Sequence, residues 1–338
     1  MSPKALRALA LLTVPLTLLI SCGRGPTVGT PTVESAEVSG VVTATPEFTR
    51  ETPTPATSAG EMTIIDGLGR TVTLAGSPQR IVSLAPSNTE ILFAIGAGRQ
   101  VVGRDDFSDY PEEAAALTSI GGPWGELNAE SLVALQPDLV LAAGINTPEQ
   151  VQAIQDLGLT VYYLANPLDF EGLYENLRLV GEFTGHTADA EALVADLRAR
   201  VDAVKSTVGE ADRPTVYFEV DGTDPNAPWT TGAGTFQQVL IETAGGENVF
   251  ADVEGWVQVS LEEIVARDPE IMIFGAGSWV PTTPESVAGR SGWEGITAVS
   301  SGEVHGIDTN WTDRTGPRLV DALEAMATLL HAVRAPVP

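Results

Sequence analysis

Two stretches of this 338-residue chain are written to one pattern. Trp124-Gly125-Glu126-Leu127-Asn128-Ala129-Glu130 runs on through Ser131-Leu132-Val133-Ala134-Leu135-Gln136-Pro137-Asp138 into Leu139-Val140-Leu141. Trp256-Val257-Gln258-Val259-Ser260-Leu261-Glu262 runs on through Glu263-Ile264-Val265-Ala266-Arg267-Asp268-Pro269-Glu270 into Ile271-Met272-Ile273, offset by 132 residues at every position. Each copy has a Trp, an N-cap candidate (Asn128 or Ser260) and a Glu at the second helical position. A short helix then stops before a proline, and an acidic residue opens an apolar strand. A chain that spells the same helix–strand unit twice, so far apart, is expected to fold as two related lobes.

The surrounding pattern supports this. Met62–Asp66 and Thr71–Leu74 flank a Gly-Leu-Gly turn and read as a hairpin. Strands at 81–84, 139–142 and 161–164 then alternate with helices near 88–95 and 148–157. The alternation returns with strands at 215–220, 271–274 and 304–307 and helices near 236–243 and from Arg318 to about Val333. Strands alternating with helices argue parallel sheets covered by helices. Between the halves, Phe170, Leu173, Leu177 and Val180 follow a helical period. After Gly185 and a predicted N-cap at Thr187, Leu193, Leu197, Val201, Val204 and Val208 do so again, enough for a strut of roughly 30 Å. The predicted organisation is a signal segment (1–22), a tether (23–60), an N-terminal lobe (61–186), a connecting helix (187–208) and a C-terminal lobe (209–338). The fold class is α/β.

The front end is an address. Lys4 and Arg7 precede an apolar run from Ala8 to Ile20, too short for an ordinary membrane span. It closes on Leu19-Ile20-Ser21-Cys22-Gly23, which resembles the bacterial lipoprotein signal with Cys22 as the lipidated residue. An ordinary secretory signal is the second reading. Residues 23–60 are rich in Thr, Pro, Ser, Glu and Gly, the composition of a disordered linker reaching roughly 35 Å. The remaining 61–338 carry 14 basic and 41 acidic residues, hence the whole net charge of −27, with Lys205 as their one lysine. Nucleic-acid binding and docking on an anionic bilayer are disfavoured by that balance. With Cys22 the sole cysteine, the body has no disulfide and no thiolate metal site.

Catalytic readings find no anchor. His186, His305 and His331 are scattered without metal-ligand spacing, and no G-x-S-x-G elbow occurs. Gly96-Ala97-Gly98 and Gly275-Ala276-Gly277 open like dinucleotide fingerprints but have valine at the third glycine position. Asp105, Asp106 and Asp109 lack the rest of a calcium loop. Glu130 and Glu262 suit a helix's first turn whatever else they do, by about 0.3–1 kcal/mol, yet they also form a symmetric pair of acidic knobs. Trp124, Trp256, Trp229, Trp293 and Trp311 fall in loop-like segments, where an indole is expected to line a site. The chain reads as a binding protein, not an enzyme.

Several segments together resemble the substrate-binding proteins of bacterial ABC importers for cobalamin, haem or ferric siderophores. They are Arg80-Ile81-Val82-Ser83-Leu84-Ala85-Pro86-Ser87-Asn88-Thr89-Glu90, Phe107-Ser108-Asp109-Tyr110-Pro111, Leu135-Gln136-Pro137-Asp138-Leu139-Val140 and Gly245-Gly246-Glu247-Asn248-Val249-Phe250. The resemblance runs from about Glu61 to the C-terminus. It implies two Rossmann-like lobes joined by one long helix, with ligand in the cleft between them. It implies that Glu130 and Glu262 engage arginines on two permease subunits, whose ATPase partners supply the energy. The likeness is to the cobalamin-binding branch, whose cleft aromatics align with Phe107, Trp124, Trp229, Trp256 and Trp311, with Arg314 beside the last; Ala143 stands where that branch can carry a further aromatic. The implied ligand is cobalamin or another corrinoid, carried as cargo and not as a cofactor, by a monomeric, lipid-anchored extracytoplasmic receptor. Haem or a ferric siderophore is the alternative cargo. A metal-assisted extracytoplasmic hydrolase and a structural adhesion module are the readings from other classes.

Overall fold

In a computed structural model, residues 60–122, 127–209, 212–277 and 282–332 are described, all within one unit of the chain. Strands β1 (Met62–Ile65) and β2 (Thr71–Leu74) make the expected antiparallel hairpin, Met62 opposite Leu74. The first lobe is built on β3 (Ile81–Ser83), β4 (Val101–Arg104), β5 (Thr118–Ser119), β6 (Leu139–Ala143) and β7 (Val161–Leu164), parallel throughout in the order β5-β4-β3-β6-β7. The order reverses between β3 and β6, so their carboxyl ends open a crevice.

The second lobe holds β8 (Thr215–Asp221), β9 (Trp229–Thr231), β10 (Glu247–Asn248), β11 (Trp256–Gln258), β12 (Ile271–Ala276) and β13 (Val304–Asp308). Here β8, β12 and β13 are parallel and β10 adds parallel to β8, while β9 and β11 form an antiparallel ribbon. That ribbon was not visible in the alternating pattern. The 222–228 connection is too short for a parallel crossover, so the chain can only turn back on itself.

Alternate residues of the central strands enter different cores. Leu139 and Leu141 join Val216, Phe218, Ile271 and Ile273 in one core that also takes Leu177, Val194 and Leu197 from the intervening helices. The residues between them point outward, Val140 into a core under the first lobe's outer helices and Tyr217 and Met272 into its counterpart in the second. The two sheets therefore share one apolar interior across the connecting helix.

That helix, Thr187–Val208, has 22 residues. It follows Phe170–Thr184, which ends on Gly185 at φ 82°. His186, not Thr187, occupies the N-cap position, and no side chain caps the helix. Gly181 lets the pair pack closely, since a Cβ there would fall 2.5 Å from that of Ala190. Arg200 reaches Asp321 and Glu324 of the last helix, Leu319–Ala332, each at 2.6 Å.

The repeat survives into backbone detail. Helices Ala129–Ala134 and Leu261–Arg267 are capped by Asn128 and Ser260, which accept from Ser131 N (2.9 Å) and Glu263 N (3.2 Å). Gln136 (φ 46°) and Asp268 (φ 41°), 132 apart, are the non-glycine residues with positive φ among those described, a conformation few L-residues adopt. Asp138 then accepts from the amides of Gln79 and Arg80 at the head of β3, and Glu270 from that of Thr215 at the head of β8.

Because the core is shared, Leu197→Ala is expected to lower stability by about 2–5 kcal/mol and to leave a single cooperative transition. Urea unfolding followed by circular dichroism and by tryptophan emission checks it; separate transitions for the two probes would mean independent lobes.

Candidate functional site

The carboxyl ends of the two sheets face each other across a cavity of about 400 Å³, within the range of small-molecule sites. Ala85, Pro86, Ser87, Phe107, Ala143, Ile145 and Asn166 line it from the first lobe. Val220, Phe236, Thr309, Asn310, Asp313, Arg314 and Thr315 line it from the second. Phe107 stands on the loop after β4, which a buried polar chain holds in place. Asp105 accepts from the Phe107 amide at 2.8 Å and from the Ser108 hydroxyl at 2.5 Å, and the Thr89 hydroxyl lies 2.8 Å from both Ser108 and Ser83, donating to Ser108. Burial pushes the Asp105 carboxyl above its ordinary value. Within the aspartate group at 105–109, Asp105 braces the loop, Asp106 accepts from Ser119 and Asp109 from Arg314; no cluster of metal-ligating side chains occurs among the described residues.

Glu90, with a side chain 2% exposed, accepts from Arg318 Nε at 3.0 Å and Nη2 at 2.5 Å, and from Arg314 Nη1 at 3.3 Å. Arg314 also donates to Asp109 Oδ1 at 2.7 Å, and Arg318 lies 4.0 Å over the Tyr110 ring. These bonds join residues more than 200 positions apart, one set from each lobe. Thr315 adds a contact to Asn166 at 3.4 Å. The sole arginine among the described residues of the cavity wall therefore arrives already neutralised.

Asp313 is exposed to the cavity, with Thr312, Gln237, Arg314 and Asp308 around it. Loss of bulk solvation pushes its carboxyl up to about 6, with Asp308 adding repulsion, while Thr312, Gln237 and Arg314 pull the other way.

Of the residues singled out in the sequence, Phe107 and Arg314 reach the cavity wall, as does Ala143. Trp229 and Trp256 stand on one face of the β9/β11 ribbon, 40% and 43% exposed. Trp256 meets the cavity-lining Phe236 edge-on at 5.8 Å and donates from Nε1 to Gln237 at 3.1 Å. Trp311 packs against the shared core and is not on the cavity wall. Trp293 corrects the loop-indole expectation outright: it is fully buried, edge-on to Tyr217 at 6.3 Å, because the segment carrying it folds over the outer face of the second sheet. Glu130 and Glu262 are exposed in the first turns of their helices. Trp124 and Cys22 lie outside the described residues. Sequence reading missed Glu90, Arg318, Phe236 and Asp313. Glu90 did leave a signal, a lone carboxylate beside the buried run Ile91-Leu92.

The two glycine-rich segments fail as dinucleotide sites for a topological reason in the first case. Ala97–Gln100 is a 3₁₀ turn that follows a helix and precedes β4, the reverse of the strand-to-helix order a phosphate cradle needs.

A family model described as periplasmic binding protein matches residues 81–310, and the chain belongs to that family. It is 31% identical over 276 residues to an uncharacterised ABC transporter substrate-binding lipoprotein of Bacillus subtilis, covering 80% of this chain and 85% of that one. It is 34% identical over 275 residues to a cobalamin-binding protein of Halobacterium salinarum, covering 79% and 73%. Among solved structures, the haem-binding protein of Roseiflexus sp. superposes with a TM-score of 0.68 at 28% identity, covering 75% of this chain and 98% of the other. The resemblance read from the sequence, and the two-lobed α/β fold it implied, are borne out.

Glu90→Gln strips the main carboxylate partner from the buried Arg314 and the partly buried Arg318 and is expected to cost about 3–5 kcal/mol in urea unfolding; Asp109→Ala, at a half-exposed carboxylate, should cost no more than about 1 kcal/mol. Equal losses would show that the cluster is not organised around Glu90. Asp313 titrates higher folded than unfolded, so its contribution to stability is fullest below about pH 4 and fades as pH rises through about 6. Asp313→Asn should therefore gain on the wild type between pH 4 and 7, read as unfolding midpoints; a constant difference would mean an ordinary carboxyl.

Proposed function

We propose that this periplasmic binding protein is the receptor of an ABC importer, tethered outside the cell membrane by a lipid on Cys22, and that its cargo is cobalamin or a related corrinoid. The observation that carries the cargo is the chemistry of the cleft. Its walls are largely apolar, its one arginine is already bonded to Asp109 and Glu90, and Asp313 adds a carboxylate. A ligand with several negative charges would find no free cation among the described residues of these walls. Haem would find no His, Tyr, Cys or Met among them to bind iron. A broad apolar macrocycle fringed with amides suits them: Asn166, Asn310, Thr309 and Asp313 can meet amide groups, and Phe107 and Phe236 can meet the ring face. Trp229 and Trp256 extend the apolar surface next to Phe236, and the repeat assigns Trp124 the matching place on the first lobe. Trp311 serves this site by holding the Thr309–Arg314 segment onto the core. Support also comes from the relative named as a cobalamin-binding protein. The likeness to a haem-binding structure keeps haem as the second reading. Glu130 and Glu262 are assigned to docking on the two permease subunits.

Calorimetric titration of the purified protein with cyanocobalamin, hemin and a ferric hydroxamate, side by side, tests the cargo. One-to-one binding of cyanocobalamin is expected, weakened at least about tenfold by Phe107→Ala or Trp256→Ala. Heat from hemin or the hydroxamate alone would keep the importer role and overturn the corrinoid assignment.

A further inference from the structure

Each of the two repeated helices carries a side chain that the fold does not use. We infer that Val133 and Val265 are the apolar halves of a paired docking surface, which seats on two copies of one membrane permease subunit. This rests on the docking reading of Glu130 and Glu262 and adds the contact that makes it specific.

Leu132 and Ile264 are fully buried and anchor the two helices, each in the outer core of its own lobe. The next residue lies about 100° further round the helix and so faces away from the anchor. It is valine in both copies, 45% exposed at Val133 and 42% at Val265. Ala134 and Ala266 beside them are exposed as well. Valine is a poorer helix former than Ala, Lys or Glu and gains nothing by facing water. Single exposed apolar residues are ordinary. However, among the exposed large apolar side chains described, Val133 and Val265 are the one pair that the 132-residue offset superimposes.

The valines stand three residues after Glu130 and Glu262, a spacing that puts each Glu–Val pair on one helix face. Neither glutamate forms an ion pair among the described residues, and both are exposed. The surface thus offers the same two-part element twice: a carboxylate with no partner and, one turn on, an apolar knob. Two equivalent elements on one molecule fit a partner that presents its receiving site twice, as two copies of one chain do. Each receiving site needs a cation for the glutamate and a small apolar socket for the valine. In a body of net charge −27, a carboxylate alone distinguishes little. The valine supplies shape and keeps water from the ion pair beside it, as the surround of an interface hot spot does.

The test is site-specific photocrosslinking of the full-length protein in its own cells, with benzoylphenylalanine placed in turn at positions 130, 133, 262, 265 and 157. Leu157, 44% exposed and outside the repeat, is the control. Positions 133 and 265 are expected to give adducts with the same integral membrane polypeptide, and position 157 none. Adducts from 130 and 262 without 133 and 265 would overturn the inference and leave the docking reading intact. No adduct from any of the four would overturn both. In the same cells, Val133→Asp with Val265→Asp is expected to cut accumulation of labelled cyanocobalamin at least about tenfold. The purified variant should bind cyanocobalamin as the wild type does. Weakened binding would place the valines in the service of the cleft and refute the surface.

Discussion

The connecting helix is not a free hinge, and most of the molecule's behaviour follows from that. Its inward side chains, Val194, Leu197 and Val201, are part of an apolar interior that also takes the inner faces of both sheets. Separating the lobes widely would expose that interior to water at about 25 cal/mol for every Å² uncovered. The exposed ion pairs Arg178–Glu191 and Arg198–Glu171 that join the strut to the preceding helix add little to this restraint. A receptor built this way keeps its cleft nearly formed before the ligand arrives, which lowers the ordering cost of binding.

Beside that shared interior, a second restraint acts by different physics. Glu90, Arg314, Arg318 and Asp109 join the lobes through charge, in a place where solvent is largely excluded. Such a cluster is worth little as net stability but punishes the loss of its buried member Glu90, far more than that of the half-exposed Asp109. Its effect here is geometric: it ties the Glu90 and Asp109 segments of the first lobe to the Arg314–Arg318 segment of the second. It also engages the positive charge of Arg314, so the arginine among the described residues of the cavity wall is already paired.

The fold was legible wherever local rules decide it. The hairpin, the central strands, the strut and both caps of the repeated helices followed from period, turn chemistry and N-cap residues. What escaped was set by tertiary packing. The β9/β11 ribbon is made of three-residue strands, too short to show a period. Trp293 read as a loop indole because its segment is rich in glycine, yet its position over the second sheet made it core. His186 displaced Thr187 from the cap because the reversal at Gly185 fixes where the helix begins. Among candidate site residues, Phe107 and Arg314 reached the cavity wall and Trp311 did not, since a helix of four residues, Thr309–Thr312, turns its indole inward and leaves the polar side for the cleft. The partners of Arg314 were invisible for a simpler reason: they lie more than 200 residues away.

The two copies agree in some places and differ in others. On the outside, the copies match in cap type, in left-handed backbone at Gln136 and Asp268, in buried anchor and in exposed Glu and Val. At the cleft they have parted: β6 runs out to Ala143 and Ile145, while the second lobe offers Val220, Phe236 and the Thr309–Thr315 segment. A ligand without internal symmetry, held between two lobes, requires walls that differ. A partner made of two equal subunits requires surfaces that agree. The pattern of sameness and difference between the copies therefore carries functional information apart from any single residue: where the copies still agree beyond what folding needs, the agreement points to a symmetric partner.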